Sequence, residues 1–394
     1  MQVKLTLELA EALSPTVDQL ISDQVASRIA AKDSTVWGSE AEAEAAIRLG
    51  WVDSAKSSVD LIPAILKLRD QFREQGLDRV VLCGMGGSSL APEVIGKNTN
   101  HEIVILDSTA PDQVQSAVRD LERTIVVVSS KSGSTVETDS QKRAFEAGFR
   151  AEGIDPRDRI VIVTDPGSPL QDAAESDGYR VFNADPTVGG RYSALTAFGL
   201  VPTGLAGSDI STLLANASMA RSELASDSID NPALWLAAAL AATPGSTDVK
   251  DKFLIETDLL PGFGDWVEQL VAESTGKLQK GTLPVVVTKS APEISDRPED
   301  TLMVSFSDSD PSISDVTFSG QLGELFLLWE YATAIAGQIL GINPFDQPDV
   351  ESAKIAARQL LDAPHFSSEV DFVDRGISVT SYGMNVVGST VEAA

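Results

Sequence analysis

The stretch VVLCGMGGSSLAPEVIG, residues 80–96, decides the fold class of this protein. It begins with a continuous apolar run, passes through a turn that contains Gly84, Gly86 and Gly87, and continues into a helical segment. An apolar run followed by a glycine turn and a helix is typical of a strand buried in a parallel sheet. The stretch therefore predicts an α/β fold with helices on both faces of the sheet.

The same order of strand and helix signals continues along the chain. The apolar runs EIVILD, TIVVVSS and RIVIVTD are each followed by a helical segment, and RVFNA ends this series. A second series contains DKFLIETD, TLPVVVTK and TLMVSFSD, and ends in the helical segments LGELFLLWEYATAIAGQIL and VESAKIAARQLL. These signals predict two doubly wound parallel-sheet domains, each a three-layer αβα sandwich. The expected order is a helical N-terminal segment (1–75), a first α/β domain (76–205), linker helices with a second, smaller α/β domain (206–364), and a C-terminal tail (365–394).

Composition and charge restrict the classes of partner. The 394 residues are 43% apolar and include 30 Lys and Arg against 58 Asp and Glu, a net charge of −28. This balance argues against nucleic acid and anionic membranes, which both favour a basic face. The single Cys83 rules out a disulfide within the chain and fits a reducing compartment. Neither a secretory signal peptide nor a membrane span is recognisable, so a cytoplasmic protein is expected.

The glycine turn allows three interpretations. A dinucleotide-binding turn has glycines at its first, third and sixth positions. Gly84 and Gly86 fit this spacing but Ser89 occupies the sixth position, which weakens an NAD site, although Asp107 would suit a ribose hydroxyl. Alternatively, the N–H groups and hydroxyls of residues 87–89 bind a compact anion at the helix N-terminus. The third possibility is a tight turn without a ligand.

A second loop, SSKSGSTVET at residues 129–138, carries several small hydroxyls around Lys131. Such a loop at the start of a helix suits the oxygens of a phosphate monoester, although Ser and Thr also occur there as ordinary caps. Both loops follow the ends of predicted strands, and open parallel sheets bind ligands at the carboxyl ends of their strands. The two loops together favour a small phosphorylated ligand over NAD.

Three further motifs carry candidate catalytic groups. The loop TVGGRYSALTAFGLVP contains Arg191, which could stabilise a developing oxyanion or form a surface ion pair. In EQLVAESTGK, Glu273 precedes Lys277 by four residues, so the two could simply form a helix salt bridge. In GINPFDQPDVESAK, Gln347 and Lys354 lie seven residues apart on one predicted helix face, where the lysine could equally be solvated. No Cys or His cluster with metal-ligand spacing is present in the sequence.

The five motifs, in this order, resemble the signature set of the phosphoglucose isomerase family over roughly residues 34–357. The chain is most similar to the isomerase half of fused transaldolase/phosphoglucose isomerase proteins, for which LGWVD is also typical. The resemblance implies two sugar-isomerase (SIS) domains and a small-molecule phosphosugar substrate. It further implies interconversion of glucose 6-phosphate and fructose 6-phosphate without a metal or organic cofactor, a homodimer, and a possible place in a transaldolase fusion.

The resemblance also implies a role for each matching residue. By motif position, Ser130, Ser132 and Thr135 would contact the phosphate, and Gly87 and Ser88 would contact the sugar. Glu273 would be the base that moves a proton between C2 and C1, and Arg191 would stabilise the cis-enediolate. Gln347 and Lys354 would make further contacts with the phosphosugar. Conventional members have a ring-opening histidine after the ESxGK motif, whereas this chain has only His101 and His365. Lys354 is therefore expected to transfer the proton at the ring oxygen, with His365 as the weaker alternative.

The sequence is compatible with three alternative functions. A dual phosphoglucose/phosphomannose isomerase would differ only in a few contacts at C2. A non-catalytic phosphosugar-binding SIS protein would need the phosphate loops but not a base, so the presence of Glu273, Arg191 and Lys354 favours an enzyme. An NAD-linked dehydrogenase would be distinguished by nicotinamide fluorescence on titration.

Overall fold

Two mainly parallel sheets with helices packed against them form the framework of the protein. The structure, a computed structural model, describes residues 1–241, 250–306, 313–348, 353, 355–356, 359, 370–380 and 390–391. The chain divides into two compact units, Met1–Asp346 and Gln347–Ala394. The first unit contains both five-stranded sheets.

The first sheet contains the apolar run that precedes the glycine turn. Its strands are β2 (Arg79–Cys83), β3 (Ile103–Leu106), β4 (Thr124–Ser129), β5 (Ile160–Thr164) and β6 (Arg180–Asn183). They pair in the order β3-β2-β4-β5-β6, all parallel. Val80 and Leu82 of β2 face one apolar cluster, and Val81 and Cys83 face another. Because both faces are covered, the strands are continuous apolar runs, and the predicted fold class is confirmed.

Helices connect the strands of this sheet and cover its faces. They are α6 (Leu90–Asn98), α7 (Pro111–Ala117), α8 (Val136–Ala151) and α9 (Pro169–Asp177), followed after β6 by α10 (Ala197–Ala206). Since all five strands are parallel, the loops that lead into these helices emerge at one edge. That edge carries the glycine turn and the hydroxyl-rich loop.

The second sheet has one antiparallel strand. Its strands are β7 (Lys252–Glu256), β8 (Leu283–Val287), β9 (Thr301–Phe306), β10 (Val316–Ser319) and, from the start of the chain, β1 (Gln2–Leu5). The order is β1-β10-β9-β7-β8, and among these described strands only β1 runs antiparallel, beside β10. Strands β1 and β10 were not predicted from the sequence. Both are four residues long and lie at or next to a sheet edge, so they give a weak periodic signal.

The N-terminal segment is otherwise helical, as predicted. It contains α1 (Leu7–Ser22), α2 (Val25–Ala30), α3 (Glu42–Arg48), α4 (Ser54–Ser57) and α5 (Ile62–Glu74). Later helices are α11 (Ile210–Leu224), α12 (Pro232–Ala241), α13 (Phe263–Thr275), α14 (Pro292–Ser295) and α15 (Leu322–Leu340). Helix α15 coincides with the predicted segment LGELFLLWEYATAIAGQIL and packs against α11, α12 and α13. A helix that is apolar on all sides is buried on all sides, and α15 is buried along most of its length.

One large apolar cluster joins the two sheets inside the first unit. It includes Val80 of β2, Phe253 of β7 and Trp329 of α15. We propose that the two sheets belong to separate domains with a boundary at residue 205, because no described strand of one sheet pairs with a strand of the other.

The second unit, Gln347–Ala394, contributes a described hairpin. Its strands are β11 (Phe372–Asp374) and β12 (Ile377–Val379), joined by Arg375 and Gly376 in left-handed backbone conformations. The predicted helix VESAKIAARQLL lies largely outside the described residues. Among the helices that the structure does describe, none has the length and apolar character needed to cross a membrane.

Candidate active site

The glycine turn after β2 is in contact with two other parts of the site. It ends in a short 3-10 helix, Gly86–Ser88. A Cβ on Gly87 would lie 2.4 Å from the carbonyl oxygen of Gly190, and one on Gly86 would lie 2.6 Å from the side-chain nitrogen of Gln269. Only glycine allows so close an approach. The turn therefore brings the loop around Gly190 and helix α13 together beside Ser88.

The hydroxyl-rich loop emerges next to this turn. Strands β2 and β4 are neighbours, with Cys83 opposite Val128, and a Cβ on Gly84 would lie 3.4 Å from the Ser129 carbonyl oxygen. The loop is part of the same carboxyl edge of the sheet, as the sequence predicted.

Small hydroxyl groups gather at the N-terminus of α8. Ser130, which is buried, donates to the Thr135 hydroxyl at 3.2 Å, and the hydroxyls of Ser132 and Ser134 lie 2.9 Å apart. Thr135 stands at the N-cap position, but its side chain accepts no hydrogen bond from a helix amide. An ordinary side-chain cap is therefore not the role of Thr135. The hydroxyls belong to the loop that leads into the positive end of the helix, which suits an anion.

Lys131 adds a positive charge to this loop. Its ammonium group pairs with the carboxylate of Asp165, which follows β5, and both side chains are mostly buried. Burial raises the pKa of Asp165, and the nearby Lys131 acts in the opposite direction. The cation is thereby held beside the loop.

Arg191 is buried and makes several hydrogen bonds. Only 4% of the surface of Arg191 is exposed. Nε donates to Ser274 Oγ at 2.7 Å, and Nη2 donates to the carbonyl oxygens of Pro344 at 2.7 Å and Asp346 at 3.2 Å. A guanidinium group removed from water needs such acceptors, and its planar fork fits them in a single orientation. This burial excludes the alternative of a surface ion pair.

Glu273 lies on α13 and approaches the arginine. Its Oε1 is 3.7 Å from Nη1 of Arg191, and its side chain is partly exposed. Gln269 precedes Glu273 by one helical turn, so both face the same side of α13, toward the glycine turn. Glu273, Arg191 and the turn at residues 86–88 therefore meet at one place.

The simple salt bridge between Glu273 and Lys277 does not form. Helix α13 ends at Thr275, so Lys277 is no longer on the helix. Its Nζ donates to the carbonyl oxygen of Asn343 at 2.6 Å and to the carbonyl and carboxylate oxygens of Asp346 at 2.6 and 2.7 Å. Burial lowers the pKa of Lys277, and Asp346 acts in the opposite direction. The alternative of an i,i+4 pair is excluded because the helix ends between its two members.

Tyr192 also lies beside the arginine. Its hydroxyl donates to Ser274 Oγ at 3.4 Å, and its ring lies under the Arg191 guanidinium. Burial raises the pKa of Tyr192 to about 12. Ser274 thus accepts hydrogen bonds from Arg191 and Tyr192.

Comparisons with known proteins agree with these motifs. The family model described as phosphoglucose isomerase matches residues 72–295, more than half of the chain. The chain belongs to the phosphoglucose isomerase family. The matched residues include the glycine turn, the hydroxyl-rich loop, Arg191 and Glu273, but not Gln347 or Lys354. This is a family of aldose–ketose isomerases, so the protein is an enzyme of that class.

Individual relatives extend the match over most of the chain. A probable glucose-6-phosphate isomerase of Methanococcus maripaludis is 28% identical over 78% of this chain and 84% of its own length. Another, of Haloarcula marismortui, is 25% identical over 92% of this chain and 94% of its own length. A solved structure of a hypothetical protein from Thermus thermophilus superposes with a TM-score of 0.77 at 23% identity, covering 92% of this chain and 100% of that one. The last similarity concerns the fold alone.

Two residues of this phosphoglucose isomerase family member were missed in the sequence. Gln269 contacts the glycine turn one helical turn before Glu273, and the i,i+4 spacing was the available signal. Ser274 lies inside the ESTGK motif, but its contacts with Arg191 and Tyr192 depend on the fold.

Not every predicted site residue can be placed. Gln347 begins the second compact unit and is exposed. Lys354 and His365 lie outside the described residues. Within the described part of the chain, no three His, Cys, Asp or Glu side chains are grouped so that they could hold a metal ion.

Proposed function

We propose that this protein is a glucose-6-phosphate isomerase that interconverts glucose 6-phosphate and fructose 6-phosphate through a cis-enediol intermediate. The observation that carries the proposal is the 3.7 Å approach of the Glu273 carboxylate to the Arg191 guanidinium. The reaction needs a base for a proton alpha to a carbonyl and a cation beside the oxygen that becomes negative. These two groups supply both requirements at one point.

The phosphate group would bind at the hydroxyl-rich loop. The hydroxyls of Ser130, Ser132 and Thr135 and the N-terminus of α8 offer donors, and Lys131 offers a charge. Such local donors can hold a dianion although the chain as a whole is acidic. The sugar chain would then lie along Gly87 and Ser88 toward Glu273.

The proton transfer itself would use Glu273 and Arg191. From open-chain glucose 6-phosphate, the Glu273 carboxylate takes the C2 proton, and the electron pair forms the C1–C2 double bond while the C1 carbonyl oxygen becomes negative. Arg191 stabilises this enediolate. Transfer of a proton from O2 to O1, and return of the Glu273 proton to C1, then produces the C2 ketone of fructose 6-phosphate. These proton transfers require neither a metal nor an organic cofactor.

Ring opening must precede this step because the substrate is mostly cyclic in solution. We propose that Lys354 transfers the proton at the ring oxygen, with His365 as the weaker candidate. The motif INPFDQPDVESAK supports Lys354, because it matches the family pattern that also contains Gln347.

The proposal extends to the assembly and the cellular location. The resemblance to conventional members, which share a residue across a dimer, supports a homodimer, and LGWVD supports a relation to transaldolase fusions. The single buried Cys83 supports a cytoplasmic enzyme. Light scattering coupled to size-exclusion chromatography tests the dimer directly.

A coupled assay tests the proposed reaction. Fructose 6-phosphate is supplied, and glucose 6-phosphate is measured by a dehydrogenase that reduces NADP, with and without EDTA. We expect turnover in both cases, and mannose 6-phosphate in a separate assay tests the dual specificity. Binding of fructose 6-phosphate without turnover would contradict the proposal and would indicate a non-catalytic phosphosugar-binding protein. Loss of activity with EDTA that a metal restores would contradict the cofactor-free mechanism.

A further inference from the structure

The loop that follows α15 accepts hydrogen bonds from two buried cations. We call residues 343–346 the acceptor loop. Lys277, which is 5% exposed, donates to Asn343 O at 2.6 Å, Asp346 O at 2.6 Å and Asp346 Oδ1 at 2.7 Å. Each of these partners of Lys277 Nζ therefore lies on the acceptor loop.

Arg191 uses the same loop. Its Nη2 donates to Pro344 O at 2.7 Å and to Asp346 O at 3.2 Å. The carbonyl oxygen of Asp346 thus accepts from both cations. Charge-assisted hydrogen bonds of this kind are short and fix the geometry of their partners. The position of the loop and the orientation of the guanidinium depend on each other.

We propose that Lys277 is a positioning residue that holds the acceptor loop and, through it, the guanidinium of Arg191. The inference rests on the proposed function, in which Arg191 stabilises the enediolate. Stabilisation by a preorganised donor depends on its exact direction, so a small displacement of the cation lowers the rate of the chemical step. Ser274 fixes the Nε side of the guanidinium and the acceptor loop fixes the Nη2 side. Nη1 is the nitrogen that lies 3.7 Å from Glu273 Oε1.

The same arrangement keeps Lys277 away from the base. On a longer helix, Lys277 would lie one turn after Glu273 and would neutralise it. Because α13 ends at Thr275, the lysine instead turns toward the acceptor loop. Its positive charge is balanced by Asp346, and the carboxylate of Glu273 remains paired only loosely, at 3.7 Å, with Arg191.

The test compares Lys277→Met, Lys277→Arg and the matched control Lys280→Met. Lys280 also donates to a backbone carbonyl, that of Leu340 at 2.8 Å, but it is exposed. We expect Lys277→Met to lower kcat by about 10²-fold with KM for fructose 6-phosphate within about threefold, as for a displaced catalytic group. Lys277→Arg, which keeps the charge and the donors, should recover at least part of the loss. Lys280→Met should behave as the wild type.

Two inhibitors separate positioning from general damage. The carboxylate of 5-phosphoarabinonate resembles the enediolate, whereas sorbitol 6-phosphate carries the phosphate but has no such charge. Lys277→Met should weaken binding of the arabinonate by a factor similar to the loss in kcat and leave sorbitol 6-phosphate binding unchanged. Equal weakening of both inhibitors, or a kcat within twofold of the wild type, would overturn the proposal.

Asp346→Asn provides the second variant if Lys277→Met does not fold. Its side chain is partly exposed, and the change removes one charge while the carbonyl contacts remain. We expect a smaller loss in kcat with the same selectivity between the inhibitors; an unselective loss would overturn the proposal. If the wild type does not isomerise fructose 6-phosphate, the proposed function is wrong. The positioning role of Lys277 is then decided by inhibitor binding, because Lys277→Met should still weaken binding of the arabinonate and not of sorbitol 6-phosphate. If the arabinonate does not bind to the wild type, the positioning proposal is overturned.

Discussion

At the scale of single residues, the environment of Arg191 and Glu273 explains how the proposed reaction can use both. The guanidinium is buried and anchored at Nε and Nη2 by Ser274, Pro344 and Asp346. The carboxylate is partly exposed and only loosely paired. A cation that is already fixed in place does not have to reorient when negative charge develops on the substrate. A carboxylate without a tight partner can still accept a proton.

The change Glu273→Gln should remove the base and keep the shape of the side chain. We expect kcat to fall by about 10²–10⁴-fold, the usual contribution of a positioned general base, while sorbitol 6-phosphate still binds. The matched control is Glu268→Gln, an exposed carboxylate on the same helix. Turnover of Glu273→Gln within tenfold of the wild type would show that another residue is the base.

Ring opening can be assigned to a residue by two further variants. Lys354→Ala should lower kcat with cyclic substrate by about 10²-fold, as for the loss of one general acid, and His365→Ala should leave kcat within about threefold. Rates at saturating fructose 6-phosphate provide the comparison. If His365→Ala is the more damaging change, the assignment to Lys354 is wrong.

At the scale of secondary-structure elements, parallel strand order brings the hydroxyl-rich loop and the glycine turn together. Strands β2 and β4 are adjacent although β3 lies between them in sequence. Their carboxyl ends therefore place two helix N-termini, those of α6 and α8, side by side. This is the usual place for ligands in open α/β sheets.

The paired change Ser132→Ala and Thr135→Ala should act on binding more than on chemistry. Phosphate contacts are similar in the ground state and the transition state, so their loss raises KM for fructose 6-phosphate much more than it lowers kcat. Ser140→Ala, one turn further along α8, is the control. An unchanged KM in the double variant would remove this loop from the phosphate site.

At the scale of the whole molecule, one buried carboxyl group in the shared core ties stability to pH. Glu330 of α15 is 1% exposed, and neither of its carboxyl oxygens has a hydrogen-bond partner among the described residues. Burial raises the pKa of Glu330 well above its ordinary value. The folded protein therefore holds a proton on Glu330 that the unfolded chain releases above its own pKa of about 4.3.

This proton makes the folded state less stable as pH rises. Below the unfolded pKa, the Glu330 carboxyl group is protonated in both states, and its contribution to the free energy of unfolding is fully present. Above the unfolded pKa, the free energy of unfolding falls by about 1.4 kcal/mol per pH unit until the folded pKa is reached. Glu330→Gln cannot ionise and should lack this slope. Denaturant titrations of the wild type, Glu330→Gln and the control Glu268→Gln between about pH 5 and 8 measure it. Parallel stability curves for the wild type and Glu330→Gln would contradict the prediction.

Much of the architecture followed from local patterns. Continuous apolar runs indicate buried parallel strands, and glycine or hydroxyl-rich turns after them indicate the functional edge of the sheet. These signals come from neighbouring residues, which is why the strands of the first sheet, α15 and the fold class were predicted correctly. Strand β1 was missed because its partner β10 is about as far away in sequence as the first unit allows.

The sequence by itself determined the five strands of the first sheet, the strands β7, β8 and β9 of the second, the glycine and hydroxyl-rich loops, and the family to which the chain belongs. Only the tertiary structure decided which charges meet. Ser274, Pro344 and Asp346, which accept hydrogen bonds from Arg191, lie 83, 153 and 155 residues further along the chain. Lys277 finds its acceptors 66 and 69 residues away instead of four residues before it. Helix periodicity could suggest the local pair between Glu273 and Lys277, but the end of α13 and the packing of the acceptor loop removed it. Such contacts depend on where distant segments pack, and no local pattern encodes that.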